Sequence, residues 1–254
     1  MRKTKGINHM KMRQKVRKSV TLLSFFLFPA TFYCLSPVLI IEASAEGIIK
    51  GSWILFLLMS VSALILGRAY CGRVCPGAGC QEALFSARSK GVRKGNAIKW
   101  TLWIPWIGVI VVLAVKNGGY NEIDFLYRTK SGFSIADLSG LIAYLVVLLC
   151  LIVIPAFFFG KRSFCHHVCW MAPFMILGRK ISNIFKLPSL RLIALPEGCT
   201  HCHTCTQNCP MSLPVERMVH RNKMENAECI LCGSCIDGCE FDVIKYAFAV
   251  GPKN

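Results

Sequence analysis

Four apolar stretches, separated by polar connections, fill the first two thirds of the chain. Val20 to Ile41 and Ser139 to Gly160 are unbroken runs of 22 residues each. Ile48 to Gly67 and Ala97 to Val115 reach a similar length if Lys50 and Lys99 snorkel to an interface. A bilayer core needs about 20 apolar residues in a helix, so the pattern predicts four spans. Pro29 and Pro37 fall inside the first stretch, where a missing N–H kinks a helix or trims its ends. Trp100, Trp103 and Trp106 recur at helical spacing near one end of the third, as an interfacial belt or a packing stripe would.

Charge orients these stretches. The first eighteen residues carry eight Lys/Arg and no acid, and Arg68 to Lys99 carries seven against Glu82 alone. Glu42 to Lys50 and Lys116 to Asp137 are short and near balance. The positive-inside bias then puts both termini and the middle connection on the cytoplasmic side of the cell membrane. The net charge of +17 reads as a topology signal and an attraction to anionic lipid headgroups. No nucleic-acid motif accompanies it, so nucleic acid is not an expected partner. A basic start followed by Ala43-Ser44-Ala45 also fits a cleaved signal peptide, but the apolar region exceeds the usual 7–15 residues, favouring an anchor.

The C-terminal part changes the picture from membrane protein to electron carrier. Cys199-x2-Cys202-x2-Cys205-x3-Cys209-Pro210 is followed by Cys229-x2-Cys232-x2-Cys235-x3-Cys239. In this spacing the fourth cysteine of each phrase ligates the other phrase's cluster. One [4Fe–4S] cluster is expected on Cys199, Cys202, Cys205 and Cys239, and a second on Cys229, Cys232, Cys235 and Cys209. A zinc ribbon would leave half of these cysteines idle, and a disulfide framework belongs to short secreted chains. Cys199-Thr-His-Cys202-His203 also spells a haem c attachment motif, but its cysteines already complete a ferredoxin phrase. Cys239 is followed by Glu240 where the first phrase has proline.

A second cysteine pattern lies at the ends of two spans. Arg68-Ala-Tyr70-Cys71-Gly-Arg-Val74-Cys75-Pro76 and Arg162-Ser-Phe164-Cys165-His166-His167-Val168-Cys169-Trp170 share Arg, an aromatic, Cys, Val and Cys at equal offsets. The chain therefore reads as two repeated hairpins, each closing on a C-x3-C. Helical C-x3-C elements would place two sulfurs on one face, and a pseudo-two-fold axis along the membrane normal would gather all four. Cys71, Cys75, Cys165 and Cys169 are a candidate site for an additional metal ion, a third Fe–S cluster or thiol redox chemistry. Cys80 is either a spare ligand or packed, and Cys34 and Cys150 read as small apolar side chains within spans. Of His166 and His167, one at most can face such a site. No histidine lies within a span, which removes a bis-histidine haem, and no nucleotide-binding glycine loop occurs.

The expected fold is a membrane α-helical domain of four transmembrane helices in two repeated hairpins, joined to a C-terminal α+β two-cluster ferredoxin domain of bacterial type. Boundaries fall at 1–18 for a basic cytoplasmic segment, 19–188 for the membrane domain and 189–254 for the ferredoxin domain. With both cysteine patterns placed, residues from about 20 to 250 resemble the NapH/MauN-type membrane-bound 4Fe–4S ferredoxins, related to the NosR, YccM and CcoG-like proteins. The resemblance rests on Cys71-Gly-Arg-Val-Cys75-Pro76, Cys165-His-His-Val-Cys169 and both ferredoxin phrases; Trp170 stands where the family usually has proline. It implies cytoplasmic clusters and electron exchange with the quinone pool or a membrane partner. Reductases, dehydrogenases and cytochromes are the candidate redox partners. Copper handling of the CcoG type and cluster-based redox sensing are the alternatives.

Overall fold

The computed structural model describes residues 12–84, 96–129 and 137–251. The basic start of the chain up to residue 11, and the centres of the connections before Lys99 and Asp137, lie outside the described residues. The first apolar stretch is not one helix. It divides into α1 (Met12–Phe26), α2 (Phe28–Thr31), a 3₁₀ turn (Phe32–Leu35) and α3 (Pro37–Ala45). Pro29 and Pro37 sit in first turns, where their missing N–H costs least. The Ser36 hydroxyl caps α3 by accepting from the Leu39 N–H at 3.4 Å.

A three-residue strand, β1 (Ile48–Lys50), leads into α4 (Gly51–Leu66), which at 16 residues is shorter than a straight span requires. The short helices α5 (Ala69–Arg73) and α6 (Pro76–Leu84) follow. Next come α7 (Asn96–Lys116) and β2 (Glu122–Asp124), which pairs parallel with β1. A continuous helical segment from Leu138 to Phe159 contains α8 (Leu138–Val147), a π-helical turn (Leu148–Val153) and α9 (Ile154–Phe159). Pro155 lacks a donor for the regular ladder, which accounts for a widened turn just ahead of it.

Among the described residues, two helices are therefore long and apolar enough to cross a membrane, Asn96–Lys116 and Leu138–Phe159. There are three if Met12–Phe26 and Phe28–Leu35, bent by 57°, act as one broken span. The four spans expected are not all recovered at spanning length among the described residues; Gly51–Leu66 is apolar but shorter. Two lysines also behave differently. Lys50 and Lys99 do not snorkel but are buried, Lys50 Nζ donating to the Tyr33 carbonyl at 2.8 Å and Lys99 to Glu228 at 2.6 Å.

The two repeats exchange packing partners. α6, after the first C-x3-C, lies on α1 and on the π turn of the second repeat; α11 (Met171–Ile184), after the second, lies on α4 of the first. Both contacts are backbone-close. A Cβ on Gly79 would meet the Thr21 carbonyl oxygen at 2.2 Å, and one on Gly178 would meet that of Ser60 at 2.4 Å. Small residues at such crossings let helices approach without a hydrophobic driving force from water. Trp53, Trp103 and Trp106 ring Phe174 of α11 with centroids 5.2–6.2 Å away, so packing engages two of the three belt tryptophans.

The C-terminal part is α+β. β3 (Ser189–Ala194) pairs antiparallel with β4 (Ile244–Ala249), Ser189 opposite Ala249 and Ala194 opposite Ile244. Between them lie the one-turn helices α12 (Thr204–Gln207), α13 (Val215–His220) and α14 (Ser234–Asp237). The strands bring the start of the first cysteine phrase beside the end of the second.

Candidate metal centres

Each ferredoxin phrase wraps its cysteines with the same unusual backbone. His201 and His203 flank Cys202 with φ of 56° and 58°, and Leu231 and Gly233 flank Cys232 with 50° and 77°. Ser212 and Asp242, each three residues past the last cysteine of its phrase, have φ of 53° and 49°. Left-handed non-glycine residues are uncommon and costly. Their repetition at equivalent positions shows one local design used twice, in which the chain turns to aim successive side chains inward.

The eight cysteines line two separate cavities. Cys209, Cys229, Cys232 and Cys235 line one, with apolar walls that include Leu192, Met211 and Ile230. Cys199, Cys202, Cys205 and Cys239 line the other, together with Val219, Val243 and Ile244. Each cavity thus draws three cysteines from one phrase and the fourth from the other. Four soft sulfur donors in an apolar enclosure are the donor set of a cubane iron–sulfur cluster. Without metal, burial pushes the Cys209 thiol up to about 11 and Cys229 to about 12. Metal entry therefore proceeds with loss of these protons. Cys202 is the exposed exception; hydrogen bonds from Thr204 lower its pKa.

The two C-x3-C elements also repeat in detail. α5 and α10 (Ser163–His167) are single turns, and the aromatic carbonyl of each accepts twice. Tyr70 O receives Val74 N at 3.0 Å and Cys75 N at 3.1 Å; Phe164 O receives Val168 N at 3.0 Å and Cys169 N at 2.9 Å. Both helices end at the valine, whose φ is −126° in one and −121° in the other. The second cysteine of each pair therefore lies past the helix end rather than at i+4 within it, as a helical C-x3-C would have placed it. All four thiols are buried and lie within electrostatic reach of one another. Burial raises the pKa of Cys71 and Cys169 and pushes Cys75 up to about 12. A fifth sulfur, Met175 Sδ, is 3.3 Å from Cys71 Sγ. Cys80 is buried on α6 and neighbours Tyr144.

Two arginines that the repeat pattern contained, but whose role sequence reasoning missed, flank these thiols. Arg68 and Arg162 are each 2% exposed. Burial alone would discharge them, yet both are held firmly charged: Arg68 faces Cys71 and Glu228, and Arg162 faces Glu82 and Cys165. Arg162 donates to the Cys71 carbonyl at 3.1 Å and pairs with Glu82, which also accepts from Arg17 at 2.9 Å. The Nε atoms of Arg68 and Arg162 have no hydrogen-bond partner. Buried donors without acceptors are costly, so the site is set up for added negative charge such as metal-bound thiolates carry. His166 is buried with Nδ1 on Asn96 Oδ1 at 2.7 Å, and burial lowers its pKa to about 4; His167 is tied to the Ser163 carbonyl.

The thiol group and the ferredoxin part are in direct contact. A Cβ on Gly72 would meet the Ile230 carbonyl oxygen at 2.3 Å and Cys232 Cα at 3.3 Å. Charge ties the same seam: Arg68 reaches Glu228 at 3.0 Å and Ala227 O at 2.9 Å, and Arg179 reaches Glu225 at 2.6 Å. Gln14 of α1 donates to the Cys232 carbonyl at 2.9 Å and to Asp237 at 2.7 Å.

Comparison with known proteins agrees with this geometry. Residues 191–240 match a 4Fe-4S dicluster domain, and residues 51–95 and 141–188 each match a 4Fe-4S binding domain. An uncharacterized protein of Methanocaldococcus jannaschii is 27% identical over 252 residues, covering 95% of this chain and 98% of the relative. YccM of Escherichia coli is 19% identical over 210 residues, 79% of this chain and 56% of its own length. The ferredoxin-type protein NapH of Haemophilus influenzae is 26% identical over 199 residues, 73% of this chain and 64% of its own. No solved structure matches. The chain thus carries ferredoxin-type 4Fe-4S binding domains. It is a distant homologue of NapH and YccM, and its described residues include two to three candidate membrane spans.

Proposed function

We propose that the chain passes single electrons between a membrane partner or the quinone pool and a redox partner protein through two [4Fe–4S] clusters on the cytoplasmic side of the cell membrane. Cys199, Cys202, Cys205 and Cys239 would hold one cluster, and Cys229, Cys232, Cys235 and Cys209 the other. The observation that carries this reading is the pair of cavities, each lined by three cysteines of one phrase and the last of the other. The clusters would supply the one-electron chemistry. The chain's own residues fix the sulfurs, keep water out with apolar walls, and hold cations near the seam, where positive charge favours the reduced state.

Cys71, Cys75, Cys165 and Cys169 form the proposed membrane-side station, taking a third cluster or a soft metal ion. The close approach of Gly72 to Cys232 supports electron passage from this station to the second cluster first. The fifth sulfur at Met175 favours a second reading for the station, a thiophilic ion such as Cu(I) handled during assembly.

Iron analysis of anaerobically purified protein tests both. About eight irons per chain are expected for two clusters and about twelve with a third. Four or fewer in folded protein would overturn the two-cluster reading. Cys209→Ala should abolish the EPR signal of the second phrase's cluster, and survival of that signal would overturn the crossed assignment. Loss of stoichiometric copper, with eight irons retained, in a Cys71→Ser/Cys165→Ser double variant would favour the copper reading.

A further inference from the structure

Outside both cysteine sets, one cluster of side chains among the described residues has the geometry of a metal site. Glu216 and His220 lie one turn apart on α13 and so share a face. His201, with a left-handed backbone at φ 56°, reaches the same point from the first cysteine phrase. His201 Nδ1 and His220 Nε2 are each 3.2 Å from the same oxygen, Glu216 Oε1. The two imidazoles are stacked with centroids 3.9 Å apart. His203 Nδ1 stands 3.8 Å from the other carboxylate oxygen. The Glu216 N–H donates to Thr206 Oγ1 at 2.9 Å, which anchors the carboxylate's backbone.

These separations match a coordination polyhedron. Bonds of 2.0–2.2 Å to zinc place neighbouring tetrahedral ligands about 3.3–3.5 Å apart, close to the two observed N···O edges. Two imidazoles and a carboxylate are borderline donors, suited to Zn²⁺, Ni²⁺ or Cu²⁺ rather than to Mg²⁺ or Ca²⁺. Three protein ligands leave a fourth position open, which His203 or a water would fill. The site faces outward, with His201 60% and His220 33% exposed, so an ion can enter from solution.

We propose that His201, Glu216 and His220 form a binding site for a borderline divalent cation, with Zn²⁺ as its type. Glu216 and His203 also line the cavity of Cys199, Cys202, Cys205 and Cys239. Given the cluster reading above, a bound dication lies next to that cluster and stabilises its reduced form. Occupancy then raises the cluster's reduction potential, making the outer station a better electron acceptor.

The test uses the full-length, cluster-loaded protein in detergent, produced without a histidine tag. Equilibrium dialysis against zinc, with iron and zinc counted together, should give about one zinc per chain at unchanged iron. His220→Asn and Glu216→Gln should each weaken zinc binding roughly a hundredfold while keeping the iron. Low-temperature EPR of Co²⁺-loaded protein with oxidised clusters should show a high-spin ion whose signal the same variants lose. Redox titration should show the first phrase's cluster moving to higher potential with zinc in the wild type and not in Glu216→Gln. Zinc uptake that is absent, or equal in all variants, would overturn the site. Zinc bound without a shift in potential would overturn the coupling. Missing iron would instead count against the cluster reading, so the two failures are told apart.

Discussion

Gly72→Ala is the sharpest probe of the seam between the membrane-side thiols and the ferredoxin part. The added methyl would start 2.3 Å from the Ile230 carbonyl oxygen, where ordinary contact begins near 3.4 Å. Restoring contact demands 3.4 − 2.3, or about 1.1 Å, of relative movement between two backbones, and neither has a flexible end that can swing away. Overpacking of this kind costs about 1–3 kcal/mol. For a chain of this size each kcal/mol lowers Tm by about 2–4 °C, so a fall of about 2–12 °C is expected. Gly108→Ala is the matched control, since nothing lies within 4 Å of its Cβ. Alanine there should be neutral or stabilising by about 0.5–1 kcal/mol. Thermal unfolding followed by tryptophan fluorescence, with iron counted in each sample, reads both. The EPR line shape of the second phrase's cluster should change in Gly72→Ala and not in the control. A Gly72→Ala protein with wild-type Tm and an unaltered spectrum would refute the close contact.

Glu228→Gln removes the shared partner of Arg68 and Lys99, leaving two buried cations uncompensated. A loss of about 3–5 kcal/mol is expected, visible as faster proteolysis between the membrane part and the ferredoxin part. Glu82, Glu225 and Glu228 have pKa values held below the usual 4.5 because their arginine and lysine partners outweigh the effect of burial. A depressed folded pKa gives stability that is fully present above pH 4.5 and lost as pH falls through the folded values. Tm should therefore drop steeply below pH 4.5, and less steeply in Glu82→Gln. Among the ferredoxin cysteines of cluster-free protein, Cys202 should alkylate first, because it is exposed and its thiol pKa is lowered. Mass spectrometry after brief iodoacetamide treatment checks this, and equal labelling of buried Cys209 would contradict it.

The crossed cysteine sets are an expectation from the spacing, and each cavity is lined by three cysteines of one phrase and the last of the other. The repeat of Arg, aromatic, Cys, Val and Cys likewise raises the expectation of a shared site, and the four thiols are all buried. The spans were less legible. Hydropathy counts residues but not backbone donors, so Val20 to Ile41 read as a single stretch although Pro29 and Pro37 divide it. Lys50 and Lys99 looked like interfacial lysines because their partners are distant: Lys99 meets Glu228, 129 positions along the chain. The same reason hid Arg68 and Arg162, whose acids lie 160 and 80 positions away. His201, Glu216 and His220 were invisible as a group, since His201 lies within the first cysteine phrase, 15 positions before Glu216.

The clasp of α1 on the second phrase has a consequence for how the molecule is made. Gln14 and Cys232 are 218 positions apart, so α1 leaves the ribosome long before the loop it holds. During synthesis α1 can settle on α6, 65 positions on through Arg17 and Glu82, but Arg13 and Gln14 in its first turn wait for Asp237 and the Cys232 carbonyl. The clasp closes only after the C-terminal part is folded. The order of closure leaves an interval in which the second phrase is accessible from the side that Gln14 later covers. Any cluster the second phrase takes would have its opening in that interval, before α1 closes over Cys232.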